Sequence, residues 1–165
     1  NERILEIGSG LALASLVAHR RGADMTASDC HPLAGEFLRR NLRLNGLPPM
    51  HYRHGHWGAP VAPSLALPEQ RTFARLDSDV RGLFDLIIGS DVLYERDDRG
   101  SLADFIARHA TPRGQVWIAD PDRGQRPAFN RRMAAHGFAL RQERMDTARQ
   151  GDAPAYKGRL LMYQR

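Results

Sequence analysis

The chain has 165 residues, the size of one globular domain, and its 42% apolar and 26% charged residues are typical of a folded protein. Its single cysteine, Cys30, excludes an intramolecular disulfide framework and a cysteine-rich zinc module. The net charge of +5 comes almost wholly from arginine, since Lys157 is the one lysine among 24 basic residues, and this favours the codon usage of a bacterial genome over a nucleic-acid surface.

The apolar runs of the sequence are short. None is long enough to span a bilayer, and no charged-then-apolar leader opens the chain, so we expect a cytoplasmic protein without membrane contact. The chain begins with Asn1, and Ile4 already lies in a predicted strand. We therefore expect residues 1–165 to form a single domain that lacks an N-terminal segment.

Hydrophobic periodicity predicts strands and helices that alternate along the chain. The predicted elements are, in chain order, strand 3–7, helix 11–21, strand 24–29, helix 33–45, strand 50–55, helix 71–82, strand 84–89, helix 98–109, strand 115–120, helix 126–136, and strands 138–145 and 157–164. The residues expected to face the core are Leu13, Leu16 and Val17 of the first helix, Phe37, Leu38 and Leu42 of the second, Phe73, Leu76 and Val80 of the third, and Leu102, Phe105 and Ile106 of the fourth.

This alternation predicts an α/β fold. We expect a doubly wound, seven-stranded, mostly parallel sheet with an antiparallel last strand and helices on both faces. The last two strands are joined by a polar link without a helix, which favours antiparallel pairing between them. Such folds bind ligands at the carboxyl ends of their strands, so the residues that follow the first four strands are the candidates for function.

A glycine-rich turn follows the first strand. Gly8 and Gly10 allow a tight turn and close approach to a ligand, and the next helix points its N–H groups at the same space. Leu13 stands where the dinucleotide fingerprint needs a small residue, and the Glu6 carboxylate would repel a pyrophosphate and suit a cation. The alternative is an ordinary strand-to-helix turn with a surface glutamate.

Two further acidic positions follow strands. Asp29 ends the second strand 19 residues after Gly10, where a carboxylate can accept hydrogen bonds from both ribose hydroxyls. Asp91 and Tyr94 come just after the fourth strand, where together they could orient an amine nucleophile. Each position has a structural alternative, since Asp29 and Asp91 are also good helix N-caps and Tyr94 can be a rim aromatic.

Histidines near the third strand give a weak metal signal. His51, His54 and His56 lie close together without a carboxylate or a second cysteine, so we expect no metal site. The indole of Trp57 could lie along an aromatic ring of a ligand or cap the core. Cys30 has no evident base beside it, so we interpret it as a residue that lines the binding site and not as a nucleophile.

Taken together, several segments resemble the class I, Rossmann-like S-adenosylmethionine-dependent methyltransferases. They are ILEIGSGLALASL, MTASD, FLRRNLRLNGL, FDLIIGSDVLYE and the Gly137-Phe138 pair. The resemblance as a whole extends over nearly the entire chain. The closer resemblance is to methyltransferase family 16, a branch similar to protein-lysine methyltransferases, in which SDVLYE is the most specific piece. Two positions depart from the family pattern: Ala12 replaces a third glycine, and His56 replaces an acid that contacts adenine.

The resemblance implies a function and a site. It implies methyl transfer from S-adenosylmethionine, with S-adenosylhomocysteine as product, to an amine, foremost a lysine of a protein. The implied cofactor-binding residues are Glu6, Gly8, Ser9, Gly10, Asp29, Cys30, His56, Trp57 and Ser90, and the implied catalytic residues are Asp91 and Tyr94. A small-molecule or nucleic-acid acceptor on the same fold, or a catalytically inactive cofactor-binding module, is the alternative. Val92 and Leu93 stand where base-amine methyltransferases carry prolines, which argues against nucleic acid.

Overall fold

The computed structural model describes residues 2–57, 80–94, 97 and 99–165. The predicted helix 71–82 falls mostly outside these residues, and so do Phe73 and Leu76. The last residue of its predicted inward face, Val80, is described and is buried in the core. Residues 80–83 form an irregular link into the next strand.

The other predicted elements are present with ends within three residues of the prediction, except that the strand predicted at 115–120 begins five residues earlier, at Ala110. The strands are β1 Arg3–Ile7, β2 Asp24–Asp29, β3 His51–His54, β4 Phe84–Ser90, β5 Ala110–Asp120, β6 Ala139–Arg144 and β7 Arg159–Gln164. The described helices are α1 Leu13–Arg20, α2 Ala34–Leu44, α3 Ser101–His109 and α4 Arg126–Ala135. Within the described residues, no helix is both long and apolar enough to cross a membrane.

The seven strands form one sheet in the order β3-β2-β1-β4-β5-β7-β6. Strands β1 to β5 pair in parallel, whereas β7 is antiparallel to both β5 and β6, which confirms the predicted doubly wound fold and its antiparallel last strand. The chain changes direction across the sheet between β1 and β4. In this register Ile7 lies beside Ser28 and Gly89, so the residues after β1, β2 and β4 meet at one edge.

Two apolar clusters cover the sheet. The larger one joins β1, β4, β5 and β7 to α3 and α4, and the predicted inward face of α3 is confirmed, since Leu102, Phe105 and Ile106 are all buried in it. The smaller one joins α1 and α2 to β2 through Ala12, Leu16, Ala27, Leu38 and Leu42. The two clusters place helices on both faces of the sheet, as predicted.

Two residues predicted to be buried in α1 are exposed. Leu13 is 66% exposed and Val17 is 56% exposed, while Ser15 and Leu16 face the sheet. The prediction was wrong because a polar contact to Ser15, described below, orients the first turn of the helix, which periodicity alone does not register. In α2 the predicted residues Leu38 and Leu42 are buried, but Phe37 is 39% exposed.

Candidate functional site

The turn after β1 opens the site. Gly8 and Gly10 both have left-handed backbone, with φ of 59° and 52°. A Cβ added to Gly8 would lie 2.9 Å from Val92 Cγ1 and 3.6 Å from Trp57 Cη2, so a side chain there would collide with its neighbours. A Cβ on Gly10 would meet no heavy atom within 4 Å. Gly8 is therefore needed for packing, whereas Gly10 leaves backbone facing open space.

Glu6 is buried beneath this turn and is not the surface glutamate of the alternative interpretation. It is 5% exposed, and its Oε2 accepts the Ser15 backbone N–H at 3.0 Å and a short bond from the Ser15 hydroxyl. Burial raises the pKa of Glu6, and the bonds from Ser15 oppose that rise. The N-cap of α1, Ala12, has φ of 59° and makes no capping side-chain bond. The Glu6 carboxylate on β1 therefore accepts a backbone N–H of the first helical turn, that of Ser15, in place of a capping side chain. We did not predict Ser15 as its partner.

Asp29 ties the ends of β1 and β2 together. Its Oδ2 accepts the Gly10 N–H and its Oδ1 accepts the His31 N–H, each at 2.7 Å. The N-cap of α2 is Leu33 and makes no side-chain capping bond, so Asp29 is not the cap of that helix. Next to it, Ser9 donates its N–H to Ser28 O at 3.0 Å. The acid–glycine turn and the predicted ribose acid thus form one hydrogen-bonded unit.

The segment after β3 packs against the same unit. Tyr52 donates its hydroxyl to the Asp29 carbonyl at 3.1 Å, and burial raises the pKa of Tyr52 to about 12. The Gly55 N–H donates to the same carbonyl at 3.1 Å. Strand β3 ends at His54, so strand alternation does not extend to His56. Among the described residues, no three His, Cys, Asp or Glu side chains lie close enough to hold a metal ion, and the absence of a metal stays a prediction.

A cleft of about 640 Å³ opens between the carboxyl edge of the sheet and α4. Four predicted site residues line it: Cys30, His56, Trp57 and Tyr94. Its other described lining residues are Val92, Leu93, Asp97, Ser101, Leu102, Gln125, Ala128, Phe129, Arg131 and Arg132. The Trp57 indole packs on the core, since its ring lies edge-on to Phe105 with centroids 6.2 Å apart, and it also lines the cleft. Contact with an aromatic ring of a ligand stays a prediction.

At the end of β4, Asp91 is held in a fixed position. Its backbone has φ of 54°, and its N–H donates to Ala119 O at 2.8 Å. Arg123 donates Nε to Asp91 Oδ1 at 2.9 Å and Nη2 to Oδ2 at 2.8 Å, and this pairing lowers the pKa of Asp91. Asp91 is not the cap of α3, because Asp97 accepts the N–H groups at the start of that helix.

Arg123 and Asp91 belong to a larger group of charged residues, which we call the arginine–aspartate network. Its members are Asp91, Asp120, Asp122, Arg123, Arg126, Arg144 and Arg159. Asp120 is fully buried and accepts the Arg123 N–H and Arg126 Nη1, both at 3.1 Å. Asp122 pairs with Arg126, with Arg144 and with Arg159, which brings β6 and β7 to the same loop. We did not predict this network, because the pairs Asp91–Arg123, Asp122–Arg144 and Asp122–Arg159 join distant parts of the chain.

The remaining predicted residues lie at the rim. Tyr94 is 57% exposed at the mouth of the cleft, and Ser90 is exposed at the end of β4. Cys30 is also exposed, one residue beyond Asp29. The structure therefore brings the predicted residues to one edge of the sheet. The buried acids Glu6 and Asp29 lie on the β1–β2 side, and the half-buried Asp91 and the exposed Tyr94 lie on the β4 side.

Comparison with known sequences gives a consistent family. A sequence profile described as lysine methyltransferase, methyltransferase family 16, matches residues 1–131. The human histone-arginine methyltransferase METTL23 is 30% identical over 118 residues, which cover 69% of this chain and 55% of that protein. The mouse electron transfer flavoprotein beta subunit lysine methyltransferase is 32% identical over 124 residues, covering 74% of this chain and 41% of that protein. The chain spans about half the length of these relatives.

Solved structures show the same fold. A methyltransferase from Pyrococcus furiosus superposes with a TM-score of 0.70 at 20% identity, over 99% of this chain and 75% of that one. The magnesium protoporphyrin IX methyltransferase of Synechocystis, solved with bound SAM, superposes with a TM-score of 0.69 at 16% identity, over 100% of this chain and 70% of that one. At these identities the likeness concerns the fold alone.

Proposed function

Because the chain belongs to the lysine methyltransferase family, methyltransferase family 16, we propose that it transfers a methyl group from S-adenosylmethionine to a lysine side chain of a protein. One observation carries the proposal. The Gly10 N–H and the Asp29 carboxylate are joined at 2.7 Å at the carboxyl edge of the sheet, beside a cleft. This is where a doubly wound fold binds its ligand.

The residues at this edge fit such a cofactor. Each Asp29 oxygen accepts one backbone N–H and keeps a second acceptor position, which suits the two hydroxyls of a ribose. The open space beside Gly10 admits a ligand against the backbone. His56 and Trp57 offer an imidazole and an indole for a flat heteroaromatic ring. The cleft volume is in the range of ordinary small-molecule sites.

The methyl acceptor would enter beside Asp91 and Tyr94. The bound cofactor supplies a methyl group on a sulfonium leaving group, so the protein chiefly aligns the acceptor. Arg123 lowers the pKa of Asp91, so its carboxylate stays ionised and attracts a cation. For the same reason it is a poor proton acceptor, and we assign the ammonium proton to water. Tyr94, exposed at the mouth of the cleft, would orient the amine through its hydroxyl.

Thermal unfolding with added ligands tests the cofactor. S-adenosylmethionine and S-adenosylhomocysteine are expected to raise the melting temperature, because a ligand that binds only the folded protein stabilises it. NADH is expected not to bind and to leave the melting temperature unchanged. Stabilisation by NADH alone would contradict the proposal and indicate a protein that binds a nicotinamide cofactor.

Radiolabelled methyl transfer tests the acceptor. We expect label from S-adenosylmethionine, added with the protein to a cell lysate, to enter the protein fraction and to be recovered as methyl-lysine after hydrolysis. Asp91→Ala should slow this transfer and leave cofactor affinity unchanged, since Asp91 faces the acceptor. Label confined to nucleic acid or small molecules would contradict the lysine assignment.

Arginine is the second candidate acceptor. Asp91 already binds a guanidinium through two parallel hydrogen bonds, and one relative is a histone-arginine methyltransferase. Methylarginine in the same hydrolysate would favour it over lysine.

Cellular location and origin also belong to this proposal. The single cysteine, Cys30, is exposed and forms no disulfide within the chain, and this suits a reducing compartment and supports the cytoplasm. The arginine-rich composition supports a bacterial source. Fractionation of the source cells, with detection by antibody, tests the location.

A further inference from the structure

The carboxylate assigned to the acceptor already holds a cation of the protein itself. Both Asp91 oxygens accept bonds from the Arg123 guanidinium, at 2.9 Å and 2.8 Å. A guanidinium and a lysine ammonium carry the same charge and both donate N–H groups to a carboxylate. Each Asp91 oxygen keeps a second acceptor position, but a second cation bound there would lie beside the Arg123 guanidinium and be repelled by its like charge.

The backbone that carries Arg123 is anchored on both sides. Its own N–H donates to buried Asp120 at 3.1 Å. The preceding residue, Asp122, has φ of 59° and is bound by Arg144 and Arg159 of the last two strands. These contacts define where the Arg123 side chain begins and keep its guanidinium within reach of Asp91.

The pair itself is open to solvent. The Arg123 side chain is 49% exposed and the Asp91 side chain is 43% exposed. Ion pairs of this kind are weak, because water solvates both partners and competes for their hydrogen bonds. An anchored backbone with a solvated, long side chain permits exchange of the cation without rearrangement of the fold.

We infer that Arg123 is an internal competitor that occupies Asp91 until the cationic side chain of the methyl acceptor displaces it. This inference rests on the proposed function, since it takes Asp91 as the carboxylate that receives the acceptor. By competing for Asp91, Arg123 lowers the affinity of the protein for the cationic side chain of the acceptor. It affects the affinity for the acceptor more than the rate of methyl transfer.

Exchange can be observed without the reaction. The probe is n-butylammonium, which corresponds to the lysine side chain alone. The control is n-butanol, which has the same carbon chain and no charge. In protein labelled with ¹⁵N-arginine, the Arg123 Nε–H signal is assigned by its loss in Arg123→Gln. We expect n-butylammonium to shift this signal towards those of exposed arginines, and n-butanol to leave it in place.

Affinity for the probe gives the second measurement. Arg123→Gln should bind n-butylammonium about twofold to fivefold more tightly than the wild type, the range of a weak surface pair. Arg113→Gln removes an exposed arginine at the opposite end of β5 and should match the wild type. Equal affinity in wild type and Arg123→Gln, or no binding to either, would overturn the inference.

Kinetics separate competition from orientation. With a lysine-containing peptide from a protein labelled in the lysate as the methyl acceptor, Arg123→Gln should lower KM by about twofold to fivefold and leave kcat unchanged. A lower kcat at constant KM would instead make Arg123 a residue that orients Asp91, and the inference would fail. A wild type that binds n-butylammonium but transfers no methyl group would refute the proposed function and leave the exchange intact.

Discussion

The two sides of the site are built in different ways. On the β1–β2 side, buried carboxylates of Glu6 and Asp29 bind backbone N–H groups, so the acids shape the turn itself. On the β4–β5 side, the arginine–aspartate network joins side chains to side chains, and several of its members are exposed to water. The first side makes a fixed cradle of backbone, whereas the second makes a charged rim whose outer pairs can exchange.

This difference explains why the two sides should respond differently to substitution. Loss of an acid in the cradle removes contacts that a bound nucleoside would share, so it should change ligand affinity. Loss of an acid in the network should change the stability of the fold or the binding of cations, and leave the cradle unchanged. The substitutions of Asp120, Asp29 and Glu6 test this separation, and His109 serves as a position remote from both sides. The substitutions are given in order from the largest expected effect to the smallest.

Asp120→Ala should destabilise the protein by about 3 kcal/mol, because it leaves the partly buried Arg126 and the Arg123 N–H without their acceptor. Urea unfolding measures the loss, and calorimetry with S-adenosylmethionine should show unchanged affinity. Asp120→Asn keeps an oxygen acceptor and should lose less. A loss in Asp120→Ala no greater than about 1 kcal/mol, the size of an exposed pair, would contradict a structural role for the network.

Asp29→Ala should weaken S-adenosylmethionine binding about 100-fold, since the hydrogen bonds from the two ribose hydroxyls to the Asp29 carboxylate are lost. Titration calorimetry measures the affinity. Asp24→Ala changes an exposed acid at the other end of the same strand and should bind as the wild type does. Equal affinity in wild type and Asp29→Ala would refute the ribose assignment and with it the separation of the two sides.

Glu6→Ala should cost about 1–2 kcal/mol in unfolding free energy, because the buried Ser15 N–H loses its acceptor. Glu6→Gln keeps an acceptor and should cost less. Burial raises the pKa of Glu6 above 4.5, so its ionised form costs stability as the pH rises through that value. Wild type should therefore lose stability relative to Glu6→Gln between pH 4 and pH 7, and the opposite trend would be inconsistent with a buried charge.

His109 should give the smallest effect, at the edge of the sheet opposite both sides of the site. Burial lowers the pKa of His109 below 6.5, and its ring packs on Phe105 with centroids 4.6 Å apart. The folded state therefore resists protonation, so its stability is complete above pH 6.5 and falls below it. The melting temperature should drop from pH 7.5 to pH 5.5, and His109→Gln should reduce that drop. His51→Gln, an exposed match, should retain it.

Prediction from the sequence succeeded where the determinants are local. The glycine turn and Asp29 could be predicted because each follows directly from the end of a strand, and parallel strands bring those ends together. The inward face of α3 followed from its spacing of Leu102, Phe105 and Ile106. The inward face of α1 was only partly predicted, because the Ser15 bonds to Glu6 turn Ser15 and Leu16 towards the sheet, which leaves Leu13 and Val17 facing outwards.

The order of strands and helices, the doubly wound fold and the acid–glycine turn were all determined by the sequence itself, since hydrophobic period and turn chemistry act over a few neighbouring residues. Only the tertiary structure decided which charged groups from distant parts of the chain meet. Asp91 meets Arg123 across 32 residues, and Asp122 meets Arg159 across 37. No local pattern specifies such a pair, because it depends on how the strands are ordered and on where the loops end in space.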